Sequence, residues 1–151
     1  MFRQPNKAYL TSGSGTGKTE IEAFDNALLD AGIGNLNLIK VSSIFPKNCR
    51  FVEDHSISPG SVVPVVYSRK IDSDKGNLIS SSVCVARSPD GIGVVCESSA
   101  KECEKESRNK SIKKAKRMLK SRGLKLKDLN LASDSIESEE VSCTVSALLL
   151  W

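Results

Sequence analysis

The chain has one histidine, at position 55, and its five cysteines (Cys49, Cys84, Cys96, Cys103 and Cys143) show no Cys-x-x-Cys spacing. A lone imidazole among scattered thiols supplies neither the ligand spacing of a usual zinc site nor a Ser-His-Asp triad, so the reading is buried thiols and no metal. No apolar run approaches the roughly 18 residues needed to span a bilayer, and Met1-Phe2-Arg3-Gln4-Pro5 lacks the apolar core of a secretion signal. A cytoplasmic protein without membrane contact is expected. Aromatic residues are only 5% of the chain and are missing from Lys101 to Lys127, where twelve Lys and Arg meet three Glu. With no ring to stack on a base, that stretch reads as the solvated face of an amphipathic helix rather than a nucleic-acid surface. Cys103, Ile112, Ala115, Met118 and Leu119 form its apolar side, and Gly123 stands where a C-terminal cap belongs.

What is present suits one soluble domain: 151 residues, 39% hydrophobic, 26% charged, net charge +4. Lys7 to Ser12 predicts a strand and Gly13 to Gly17 a glycine-rich loop. Thr19 and Glu22 have the spacing of a capping box, each satisfying a free backbone N–H at the start of a helix that runs to about Ala31. Its apolar face is read as Ile21, Phe24, Leu28 and Ala31, with Gly32 as the stop signal. Leu36 to Ser43 follows as a strand and Lys47 to Gly60 as a polar loop. Strands are then expected at Ser61 to Tyr67, Leu78 to Arg87 and Gly91 to Glu97, and, after the basic helix, at Asn130 to Ile136 and Val141 to Trp151. Two helices in a mostly stranded chain indicate α+β, with helices covering sheet faces.

Two segments carry candidate chemistry. Ser12-Gly13-Ser14-Gly15-Thr16-Gly17-Lys18-Thr19 sits between a strand and a helix and ends as a phosphate-binding P-loop does, which makes nucleotide binding through Gly13 to Thr19 the alternative reading. Ser12 stands where that pattern requires glycine, and no apolar strand ending in aspartate follows to hold a metal. The second segment ends on Ser42 and Ser43, followed at once by Ile44-Phe45-Pro46. A hydroxyl there lies against the carbonyl of the preceding peptide, on a run that must turn before Pro46 and so can hold strain.

The block from Ala23-Phe24-Asp25 through Ala31-Gly32-Ile33-Gly34-Asn35 and Asn37-Leu38 to Ser42-Ser43-Ile44-Phe45-Pro46 resembles pyruvoyl-dependent arginine decarboxylase. The likeness continues through Gly60 to Tyr67, Gly93 to Glu97 and Cys143 to Trp151. It implies a layered αββα sandwich, one domain over residues 1–151 formed by two chains, 1–42 and 43–151, after self-cleavage. It also implies a homo-oligomer, a trimer or dimer of trimers, with active sites at subunit contacts.

The resemblance further implies the chemistry. Ser43 attacks the Ser42 carbonyl, elimination breaks the resulting ester, and residue 43 becomes a covalent pyruvoyl group. The substrate is arginine, bound as a Schiff base and decarboxylated to agmatine for polyamine biosynthesis. Glu97 aligns with the family's acid and is expected to protonate the carbanion. Asp25 is expected to read the guanidinium through paired hydrogen bonds, and Asn37, Ser42 and Ile44 to line the substrate site. Phe45-Pro46-Lys47 and Ser98-Ser99-Ala100 depart from the family pattern of Met-Pro-Pro and a more aromatic, glycine-containing segment. An uncleaved, inactive family member serving as an assembly subunit is the remaining alternative.

Overall fold

In the computed structural model, which describes residues 3–151, two helices and nine strands form one α+β domain. The strands are β1 (Lys7–Gly17), β2 (Asn37–Lys40), β3 (Ile44–Phe45), β4 (Arg50–Phe51), β5 (Val62–Asp72), β6 (Leu78–Arg87), β7 (Gly93–Ala100), β8 (Asp128–Glu137) and β9 (Val141–Leu150). The helices are α1 (Glu20–Asp30) and α2 (Glu104–Lys120). One sheet has the order β2-β5-β9-β1-β4, the other β3-β7-β6-β8. Strand β9 runs antiparallel to both β1 and β5, with registers Ala8↔Leu150 and Val65↔Leu149.

Side-chain alternation along β9 divides the core. Cys143, Val145, Ala147 and Leu149 pack with Ala23 and Ala27 of α1, whereas Leu148 and Leu150 meet Val83, Val85 and Val95 of the other sheet. On that sheet's opposite side Cys84, Ala86, Val94 and Cys96 pack on Ala115 and Leu119 of α2. The region between the sheets also carries hydroxyls: Ser81 is bonded to Thr144 and to Ser146, each at 2.9 Å. Four cysteines are buried free thiols and Cys103 is exposed. Burial pushes the Cys84 thiol up to about 12.

The glycine-rich segment is not a loop. Gly13, Gly15 and Gly17 lie inside β1 beneath α1, where a Cβ would fall 2.5 Å from Ala31 N, 2.5 Å from Ala27 N and 2.7 Å from Ala23 N respectively. Two residues along a strand and four along a helix advance by nearly the same distance, so the glycines and alanines stay in step. This close approach also revises the helix face. Ala23 and Ala27 are buried on it, while Ile21 is 76% exposed, because only small side chains fit above a glycine floor. The Thr19 hydroxyl accepts from Glu22 N at 3.3 Å as a cap should, but the Glu22 carboxylate closes on that hydroxyl, at 2.9 Å, instead of on backbone. Gly32, with φ +75°, ends the helix turn as expected.

Candidate functional site

Strand β2 is an edge strand of the five-stranded sheet and pairs in parallel with β5, Asn37 opposite Val62 and Lys40 opposite Val65. Val41 extends this ladder, its N–H donating to the Val65 carbonyl at 2.9 Å. Two residues later the chain has changed sheets. Ile44 and Phe45 of β3 pair antiparallel with Val94 and Gly93, at the edge of the four-stranded sheet. The Ser42–Ser43 linkage is therefore the crossing itself.

Both ends of the crossing are fixed. Upstream lies the Val41 bond, and downstream the Val95 N–H donates to the Ser43 carbonyl at 2.8 Å. Phe45 is fully buried and stacks on Phe51, ring centroids 5.1 Å apart, while Ser42 is exposed and Ser43, at the bend, is half-buried. Among the described residues no non-glycine has positive φ. The expected strain is thus not of the left-handed kind; what the fold supplies at this junction is fixation on each side.

Glu97 lies two residues beyond Val95 on β7, about 7 Å along the strand by ordinary strand rise. It pairs opposite Val83, is half-buried, and has the same strand parity as Val95, whose side chain enters the core between the sheets. Ser43 and Glu97 are consequently brought to one edge. The Glu97 carbonyl accepts a hydrogen bond from the Lys114 ammonium of α2 at 2.6 Å. Beside Glu97, burial raises the Cys96 thiol above its ordinary value. Ile44, with Ile39, Val41, Pro46, Val62 and Pro64, lines an apolar cavity of about 370 Å³ on the near side of the crossing.

The other expected substrate residues stand apart. Asn37 begins β2, at the opposite end of that strand from Ser42, and its amide donates to the Gly60 carbonyl at 2.7 Å. There it holds the turn that leads into β5, where Gly60 adopts φ +82°. Asp25 is exposed on α1, a helix that packs over β1 and β9, with β5 separating β9 from β2. Its neighbour Phe24 supports the Arg69 guanidinium at 4.4 Å. Within one chain Asp25 and Ser43 are not brought together. The Gly13–Gly17 segment, being strand packed under a helix, forms no phosphate cradle.

The sequence reading missed Val95 and Lys114. The first acts through its backbone N–H and the second reaches across from another element, and neither leaves a mark in local spacing.

A small α+β protein with a serine pair at a sheet-to-sheet crossing and a carboxyl on the same strand edge is the class these features define. The family model described as pyruvoyl-dependent arginine decarboxylase matches residues 7–150. A pyruvoyl-dependent arginine decarboxylase of Methanothermobacter thermautotrophicus is 43% identical over 143 residues, covering 95% of each chain. Relatives so named from Methanopyrus kandleri and Methanocaldococcus jannaschii are 36% and 35% identical, covering 97% and 99% of this chain and 97% and 92% of their own. The chain belongs to the pyruvoyl-dependent arginine decarboxylase family, and membership implies a covalently bound pyruvoyl cofactor.

Proposed function

We propose that this protein cleaves itself between Ser42 and Ser43 and decarboxylates L-arginine to agmatine and carbon dioxide, in polyamine biosynthesis. The observation that carries the reading is the family match across nearly the whole chain, joined to a Ser42–Ser43 junction anchored by Val41 and Val95. The residues present suit a pyruvoyl group: a serine hydroxyl follows a peptide carbonyl directly, at a half-buried bend with the next carbonyl already held.

Processing draws on the chain and one water molecule. The Ser43 Oγ bonds to the Ser42 carbonyl carbon as the C–N bond breaks, turning amide into ester. Loss of the residue 43 Cα proton to a base then expels the ester oxygen from Cβ, leaving Ser42 as a carboxylate and residue 43 as dehydroalanine. Water adds, ammonia leaves, and the pyruvoyl group remains at the head of residues 43–151. When formed, that group supplies an electron sink for the pair released with carbon dioxide.

Glu97 is assigned as the acid that returns a proton to the substrate carbon, on the strength of its place beside Ser43. Asp25 is assigned to the guanidinium, Ile44 to the apolar wall and Ser42 to the rim of the crossing. Asn37, at the far end of β2 with its amide on Gly60, joins the binding set only if, like Asp25, it is supplied by a neighbouring copy. Since α1 is remote from the crossing, Asp25 must come from a neighbouring copy. Exposed Ile39, Val41, Ile44 and Val62 beside the crossing support burial there in a trimer or dimer of trimers. Three apolar clusters, one under each helix and one between the sheets, support the family's αββα layering.

Mass spectrometry of purified wild-type protein tests the reading. Two fragments, residues 1–42 and 43–151 with the second blocked to Edman degradation, are expected together with agmatine release from arginine. A chain that stays whole and carbonyl-free after prolonged incubation overturns it and favours an inactive assembly subunit.

A further inference from the structure

The outer edge of β7 is open beyond Val95, at Glu97 and Ser99, where no strand pairs with it. Strand β3 covers this edge at Gly93 and Val94, and the Val95 N–H still reaches the Ser43 carbonyl. Beyond Ser43 the chain crosses to the other sheet. In an antiparallel ladder the outward backbone groups recur every second residue, so the next to face this edge belong to Glu97. Its carbonyl is met by the Lys114 ammonium, at 2.6 Å, where a strand would otherwise have supplied an N–H.

We infer that Lys114 is a positioning residue for Glu97. This rests on the reading above, in which Glu97 supplies the proton. Lys114 is well suited to the task. It is half-buried on a helix whose basic neighbours Lys113, Lys116 and Arg117 are exposed, and it descends from α2 onto the β7 backbone. Lys110, one turn earlier on the same face, is committed to Glu102. A charge-assisted bond to a carbonyl is stronger than one to water, so it adds a hold on the open side of a peptide that β6 holds only from the other side, and this steadies where the Glu97 side chain leaves the strand. Without it, that carbonyl lies on an open strand edge with only solvent to hold it, and the carboxyl can swing away from the reacting carbon.

The test compares wild-type, Lys114→Met, Lys114→Arg and Lys113→Met proteins, with kcat expressed per cleaved chain from the fragment masses. Lys114→Met is expected to lower kcat by about ten- to a hundredfold, the upper figure being the scale of a catalytic group misplaced by about 1 Å, with KM for arginine nearly unchanged. Lys114→Arg restores most of the loss because the donor is retained, and Lys113→Met behaves as wild type. Equal melting temperatures for the two methionine variants separate lost positioning from lost folding. A Lys114→Met enzyme with wild-type kcat overturns the assignment, as does an equal loss in Lys113→Met or a change confined to KM. Wild-type protein that neither cleaves nor releases agmatine overturns the underlying reading, and this assignment with it.

Discussion

The Val95 N–H donates to the Ser43 carbonyl at 2.8 Å, on the downstream side of the peptide bond proposed to break. That bond survives the cut. Residue 43 therefore keeps its anchor on β7 while the upstream half retains its own bond through Val41 and Val65. The reactive group is held by the sheet it already belonged to.

Replacing Ser43 by alanine removes the nucleophile and leaves both anchors. A single band of full-length mass is expected on a denaturing gel, with no decarboxylation and a near-unchanged melting temperature. Fragments from the alanine variant would place the attacking group elsewhere.

Glu97→Gln keeps the side chain's size and removes its acid. Cleavage is expected to proceed, while kcat falls by roughly 10²- to 10⁴-fold, the range for loss of a general acid. Steady-state agmatine release per cleaved chain measures the effect, because carbon dioxide leaves before the proton is returned. Cleavage blocked to the same extent would move Glu97 from catalysis into processing.

Asp25→Asn replaces a charged acceptor of guanidinium hydrogen bonds with a neutral amide. KM for arginine is expected to rise by roughly ten- to a hundredfold, from about 1.5–3 kcal/mol for a charge-assisted bond, with a smaller change in kcat. Initial-rate kinetics decide it. Mixing Asp25→Asn with Ser43→Ala subunits should restore partial activity if the two residues act from different copies.

Gly15→Ala should destabilise the fold by about 1–3 kcal/mol or more, since overpacking between backbones cannot be relieved by a rotamer change. The added methyl would meet Ala27 N at 2.5 Å and the Asn26 carbonyl carbon at 2.7 Å. Urea denaturation reads the loss directly. A phosphate cradle would instead predict normal stability with altered nucleotide affinity.

The Lys101 ammonium, 2.6 Å from Asp72, together with the Asp74 N–H and Asn77 amide, lowers the Asp72 carboxyl from 3.8 to about 2. A carboxyl whose folded value is depressed favours folding above its unfolded value, so this contribution is full above pH 4 and disappears as pH falls towards 2. Denaturation midpoints between pH 5 and 2.5 should drop less steeply for Asp72→Asn than for wild type. Identical slopes would mean the ion pair carries no pH dependence.

Strand β6 was legible to its last residue, because Leu78 to Arg87 is an uninterrupted apolar and hydroxyl run bounded by turn residues. The extension of β1 through Gly17 was not. Glycines carry no strand propensity of their own, and their alternation has meaning only once a helix of alanines lies above them. The same hidden partner made Ile21 look inward and Ala23 look unimportant. Short β4, inside a polar loop, is set by its parallel pairing of Arg50 with Lys7 and left no local pattern. Ser42, Ser43 and Glu97 were legible as a family string, but their shared edge depends on a β3–β7 pairing across some fifty residues of sequence, a contact that periodicity does not encode.

Strand β1 is stitched between β9 and β4, and ten consecutive residues of it, Ala8 to Gly17, register with β9. Once nicked at the crossing, the molecule would be a heterodimer of interleaved fragments, neither able to depart without tearing the centre of a sheet. Its melting would then depend on protein concentration as an unbroken polypeptide's does not, and cooling dilute melted fragments would rarely rejoin them. Folding is a task for the precursor, completed before the cut.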